Sequence, residues 1–164
     1  MKIQFHKPHI SQKELDSVSE TIKSGWLTMG SKTLEFEEEF KNYIGSQYTI
    51  STNSATAALH LALNALDVKK NDEIIIPTNT FIATAEAIVY TGATPVLCDI
   101  DRRTHNLNIE CLEKLITSRT KVLIPVHFGG HPCDMDEILR IGQQYNLKII
   151  EDAAQAFGGK YKQK

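Results

Sequence analysis

Two carboxylates, Glu151 and Asp152, directly follow the apolar run Leu147–Ile150. Successive side chains of a strand face opposite ways, so only one of the pair can point into the space beyond the strand's end. A carboxylate there could hold a metal, accept from a ribose hydroxyl or pair with a cationic nitrogen. It could equally be one of two solvated acids at the start of a loop. Ala153 and Ala154 leave room beside it, and Gln155 adds an amide a few positions on.

A second group of residues has anion chemistry. In "STNSATAALHLAL" (51–63), the residues Thr52, Asn53, Ser54, Ala55 and Thr56 are small, and a helix starts among them. A helix N-terminus presents free N–H groups and the positive end of the dipole, so a phosphate fits there, with the Ser54 and Thr56 hydroxyls as further donors. The same residues also suffice for a plain N-cap, which needs one Ser or Asn. No G-x-G-x-x-G follows the preceding apolar run and no G-x-x-x-x-G-K-[ST] occurs anywhere. A mononucleotide-like or cofactor phosphate is therefore favoured over a dinucleotide.

Phe81, in "PTNTFIATAEA" (77–87), could stack on a flat heterocycle, although on its own it reads better as a core residue. "HFGGHPCD" (127–134) brings His127, His131 and Cys133 close in sequence. Zinc needs three or four convergent ligands, commonly from more than one element, and the two glycines with Pro132 read instead as a turn.

Positioning these residues requires alternating elements. "SQKELDSVSETIKS" (11–24) carries capping-box spacing from Ser11 to Glu14 and sets Leu15, Val18 and Ile22 on one helical face. "SKTLEFEEEFKNYIG" (31–45) is a second helix that stops at Gly45. Short apolar runs follow at 47–51, 73–77, 94–100, 121–126 and 147–152, separated by helical patterns at 55–66, 80–90, 109–117 and 134–145. The last of these opens with Asp134 and Glu137 in capping-box spacing. Strands alternating with helices of this length predict an α/β fold, a mostly parallel sheet with helices on both faces. Ligands of such sheets collect beyond the carboxyl ends of the strands, where the candidate residues fall. The reading divides the chain into an N-terminal helical segment, 1–45, and an α/β domain, 46–164.

Composition excludes several classes. A formal net charge of −2 without a Lys/Arg block argues against nucleic acid. Three cysteines without C-x-x-C spacing suit neither a disulfide framework nor a four-cysteine zinc site, and point to a reducing compartment. "MKIQFHKPHI" lacks an apolar leader core and no stretch is long enough to span a bilayer. The expectation is a soluble, cytoplasmic protein without membrane contact.

Five segments in order, "GWLTMGSKTLEFEEEF", "TNSATAALHLAL", "PTNTFIATAEAIVYTGATPVLCDID", "RTKVLIPVHFGG" and "IIEDAAQAFGG", resemble the DegT/DnrJ/EryC1/StrS family. These are sugar-nucleotide aminotransferases of fold type I that use pyridoxal 5′-phosphate (PLP). The resemblance implies that the chain is the incomplete large domain of such a transferase. Asp152 matches the aspartate that pairs with the cofactor's pyridine nitrogen, Gln155 the residue near its phenolic oxygen, and Phe81 the aromatic stacked on its ring. Ser54, Ala55, Thr56 and Ala57 match the phosphate cradle, and Trp26–Gly30 a segment near the active site. It further implies a nucleotide-linked keto-deoxysugar as substrate, an amino-acid donor such as glutamate, products for polysaccharides or related glycans, and a homodimer. The family's Schiff-base lysine would fall beyond Lys164, so the chain by itself is expected not to turn over.

Three other readings stand beside this one. Relatives with histidine in place of that lysine act as dehydratases on the same class of sugar. A non-catalytic chain that binds cofactor or partner is a second. The third is a receiver-like phosphotransfer domain using Asp99, Asp101 and Asp152 with magnesium, against which stand the 46 residues before the first expected strand.

Overall fold

The computed structural model describes residues 7–163. Met1–His6, part of the stretch read above for a leader, and Lys164 lie outside the described residues. The chain divides into two compact units, with the boundary between Ser51 and Thr52.

The first unit holds helices α1 (Gln12–Ser24) and α2 (Ser31–Ile44). Both arise from local signals. Ser11 Oγ accepts from the Lys13 N–H at 3.3 Å, and the Glu14 carboxylate accepts from the Ser11 N–H at 2.6 Å, completing the expected capping box. Gly45 ends α2 at φ 75°, a left-handed position that costs glycine nothing, and its N–H donates to the Lys41 carbonyl. No residue of either helix is buried. The strand expected at 47–51 does not form. Tyr48 and Ile50 are 77% and 80% exposed, and Ser51 instead donates through its N–H and its hydroxyl to the Glu37 carboxylate, both at 2.7 Å.

The second unit is the α/β layer. Its elements are α3 (Ala55–Ala65), β1 (Glu73–Pro77), α4 (Ile82–Tyr90), β2 (Thr94–Cys98), α5 (Ile109–Leu112), β3 (Thr120–Leu123), α6 (Met135–Gln144) and β4 (Lys148–Ile149). The strands pair in parallel in the order β2-β1-β3-β4. Period-two alternation assigns the two faces. Ile74 and Ile76 of β1 pack with Leu59 and Leu63 of α3 and Ala87 and Ile88 of α4. Ile75, between them, packs with Leu112 of α5 and Ile138 and Ile141 of α6. Helices therefore cover both faces, and all three isoleucines are fully buried. A continuous apolar run is the pattern such a strand requires.

Several boundaries differ from expectation, among them the strands expected at 94–100 and 121–126, which end at Cys98 and Leu123. The helix expected at 109–117 is one turn of α-helix followed by a 3-10 turn, Glu113–Leu115. The strand expected at 147–152 keeps only two residues of regular pairing, with an isolated parallel bridge from Val126 to Asp152 beyond it. Asp134 precedes α6 without capping it; its carboxylate accepts from the Tyr161 hydroxyl at 3.0 Å. All three cysteines are free thiols, and burial pushes that of Cys98 up to about 12. Among the described residues no helix is long and apolar enough to cross a membrane.

Candidate active site

Strand order selects one point on the sheet edge. From β1 the chain moves outward to β2, whereas β3 lies on the opposite side of β1. The connections leaving the carboxyl ends of β1 and β3 therefore diverge, and a crevice opens between them. A cavity of ≈ 130 Å³ lies there, lined from α3 by Ala55 and Thr56, from the start of α4 by Thr80, Phe81 and Thr84, and from beyond β3 and β4 by Val126, Phe128, Asp152 and Gln155. The α3 residues stand at its N-terminus, so the dipole end expected to attract an anion faces this space.

Asp152 is the buried acid of the pair, 8% exposed, while Glu151 is exposed. Its backbone is fixed on both sides: its N–H donates to the Pro125 carbonyl at 2.9 Å, and its carbonyl accepts from the His127 N–H at 3.1 Å. Its carboxylate is fixed as well. Oδ1 accepts from the Ala154 N–H at 3.2 Å and Oδ2 from the Thr84 hydroxyl at 2.8 Å. Burial of a carboxylate is tolerated when its oxygens are hydrogen-bonded in this way.

Phe81 overturns its reading as a core residue. It occupies the N-cap position of α4, is 73% exposed and lines the cavity. Gln155 is oriented by the "HFGG" turn. Its Oε1 accepts from the Gly129 N–H at 2.8 Å, which turns the amide's NH2 end away from that turn. Gly129 and Gly130 sit at φ 60° and 82°, and a Cβ on Gly130 would come within 3.0 Å of the Gln155 carbonyl. Glycine is what lets the two segments approach.

Ser54 takes the plain capping role, its hydroxyl accepting from the Ala57 N–H at 3.1 Å. Neither Ser54 nor Ala57 lines the cavity, which leaves the Ala55 and Thr56 end of α3 open to it. His127 and Cys133 are joined without a metal: the histidine Nδ1 accepts from the Cys133 N–H at 3.1 Å, and Nε2 meets the Glu151 carboxylate at 2.9 Å. With Nδ1 accepting, the ring proton belongs on Nε2. His131 and Cys133 line one hollow, yet among the described residues no three metal-binding side chains are grouped. Asp99 and Asp101 do not line the Asp152 cavity; Asp101 caps its own loop through the Arg103 and Thr104 N–H groups. A larger hollow is lined by Asp101, His131, Cys133 and Lys160 among others, and contains none of the residues matched to a cofactor.

Thr80, Thr84, Val126 and Phe128 are among the lining residues that sequence reasoning missed. For Thr84 a signal was present: Thr80 and Thr84 are four apart at a helix start, a spacing that puts two hydroxyls side by side.

Comparison with known proteins agrees with this fold. The chain is 55% identical over 158 residues to the uncharacterised protein MJ1066 of Methanocaldococcus jannaschii, covering 96% of this chain and 41% of that protein. It is 46% identical over 160 residues to the spore coat polysaccharide biosynthesis protein SpsC of Bacillus subtilis, covering 98% and 41%. The chain thus spans about two fifths of the length of these relatives. Among solved structures, the sugar aminotransferase Spr1654 of Streptococcus pneumoniae in its PMP form superposes with a TM-score of 0.90 at 37% identity, over 96% of this chain and 44% of that one. The same protein is also known in a PLP form. Such neighbours identify the fold as that of the fold type I aminotransferases. A family model matches residues 8–164, and by that match the chain belongs to the DegT/DnrJ/EryC1/StrS aminotransferase family.

Proposed function

We propose that this chain contributes the cofactor pocket of a PLP-dependent aminotransferase acting on a nucleotide-linked keto-deoxysugar, with an amino acid such as glutamate as donor. One observation carries the reading. A buried, doubly hydrogen-bonded carboxylate, an exposed aromatic ring and an open helix N-terminus meet at a single crevice. That donor set fits PLP, which has a basic ring nitrogen, a flat ring and a phosphate. Once bound, PLP supplies an electron sink for the substrate carbon that loses a proton.

The remaining chemistry belongs to the chain. Asp152 holds the proton on the ring nitrogen, Phe81 stacks on the ring and shields it from water, and Gln155 donates from its NH2 end to the phenolic oxygen. The N–H groups at the start of α3, with the Thr56 hydroxyl, take the phosphate. Ser54 and Ala57 act one step back, Ser54 by capping the Ala57 N–H and keeping the helix start in place. The helical segment 1–45 and the α/β domain 46–164 would pair with a second copy in a homodimer working in the cytoplasm.

The test is cofactor binding and half-reaction by the intact protein, meaning this chain together with any segment that supplies a Schiff-base lysine. PLP added to it should develop a protein-bound absorption band, and glutamate should convert that band to the amine form. Asp152→Asn should weaken PLP binding at least about tenfold, leaving it anchored by the phosphate, and lose the conversion. An intact protein that binds no PLP at micromolar concentration would sink the reading. One that binds PLP but never converts it would be a cofactor-binding protein only.

A further inference from the structure

Asp152 does not stand alone at the crevice. Its Oδ2 accepts from the Thr84 hydroxyl at 2.8 Å, and the Thr84 and Thr80 hydroxyl oxygens are themselves 2.8 Å apart. A threonine hydroxyl has one proton. Thr84 gives its proton to the carboxylate, which in its ionised form can only accept. The hydrogen between the two threonines must then come from Thr80. The direction of the chain follows: Thr80 Oγ1–H to Thr84 Oγ1, and Thr84 Oγ1–H to Asp152 Oδ2.

We propose that Thr80 and Thr84 form a hydroxyl relay that positions the Asp152 carboxylate for the cofactor's ring nitrogen, with Thr84 as the positioning residue. The inference rests on the functional reading above. Three facts support it. Thr84 is 1% exposed in the first turn of α4, so its hydroxyl is held rather than solvated. Its partner is 68 residues away in sequence, so the bond ties α4 to the segment beyond β4. Oδ1 is held separately by the Ala154 N–H, so removing Thr84's proton frees one oxygen only and lets the carboxylate rotate about the bond that remains. Hydrogen bonds in a chain also polarise one another, which makes Thr80 a contributor although it does not touch the acid.

Three variants and a double mutant of the intact protein test this. Thr84→Val keeps the volume and removes the hydroxyl; PLP affinity should fall about tenfold, the scale of one lost hydrogen bond to a charged group. Thr84→Ser restores the donor and should recover affinity to within about twofold. Thr80→Val should cost less than Thr84→Val. Paired with Asp152→Asn, Thr84→Val should cost little more than Asp152→Asn alone, because both remove the same interaction. A Thr84→Ser variant as weak as Thr84→Val, or full additivity in the double mutant, would show that Thr84 only fills space and would overturn the relay. Either result leaves the functional reading intact. Failure of the unmutated protein to bind PLP removes that reading and the relay with it.

Discussion

The two units of this chain owe their structure to opposite kinds of interaction. Helices α1 and α2 are specified within themselves, by a capping box and left-handed glycine stops, and bury none of their residues. Leu15, Val18 and Ile22 remain 56–62% exposed. Strands β1 and β3 have almost no local signature beyond being apolar, yet Ile74, Ile75, Ile76, Val122 and Leu123 are fully buried. Local caps can make a helix visible in sequence while contributing only tenths of a kcal/mol to about 2 kcal/mol. Burial makes a sheet stable, at about 1.5–3 kcal/mol for each large apolar side chain. The residues that line the Asp152 crevice all belong to the second unit, where position depends on long-range packing.

The largest contrast between the units should come from the sheet. Ile75 is the β1 residue that faces α6, and Ile75→Ala removes three carbons from a site with no solvent access. A loss of about 2–5 kcal/mol is expected in urea unfolding of the intact protein, with unchanged m-value. A loss below about 1 kcal/mol would mean that the two-faced packing around β1 can collapse to fill the gap.

A smaller effect should come from the charged start of the same strand. Glu73 is 7% exposed, accepts from the Thr117 hydroxyl at 2.6 Å and is paired with Arg119. The Thr117 hydrogen bond first, and the guanidinium with it, hold its carboxyl below the ordinary 4.5. A carboxyl lowered on folding stabilises the protein above its unfolded value, and the stabilisation disappears as pH falls through the folded value. Glu73→Gln should therefore cost about 1.5 kcal/mol at pH 7. The gap between the two proteins should close as pH drops from about 5 downward. A gap that stays constant with pH would assign the effect to shape rather than charge.

How much could be read in advance follows the same division. The α1 and α2 boundaries were legible because Ser11, Glu14 and Gly45 act on backbone groups a few residues away. The segment 47–51 alternates like a strand and is not one, since alternation cannot show whether a neighbouring strand exists to accept its hydrogen bonds. Asp134 has the spacing of a cap, but Tyr161 takes its carboxylate from 27 residues away. At the site, Asp152 was legible as a carboxylate at a strand end, whereas Thr84 showed only its spacing from Thr80, not its partner 68 residues off. Phe81 was legible as an aromatic but not as an exposed one. Its exposure depends on where the strand order opens the sheet.

The smallest effect should fall in the first unit, and its confinement there is the point of measuring it. Ser11→Ala removes the hydroxyl that accepts from the Lys13 N–H and that donates to Glu14 at 2.5 Å. The Glu14 carboxyl, held below 4.5 first by that hydroxyl and then by the Ser11 N–H, loses the stronger of its two anchors. Amide exchange over Gln12–Asp16 should quicken about fivefold, as expected for one lost cap. Exchange at Ile75 and Ile76 should not change, because no cap contributes to their burial. Acid should weaken the same cap in the unmutated protein, since protonating Glu14 takes the charge from the acceptor of the Ser11 N–H. If Ser11→Ala instead quickens exchange in β1 as much as in α1, the two units unfold as one. The separation of local from long-range stabilisation would then hold only for the folded structure, not for its energetics.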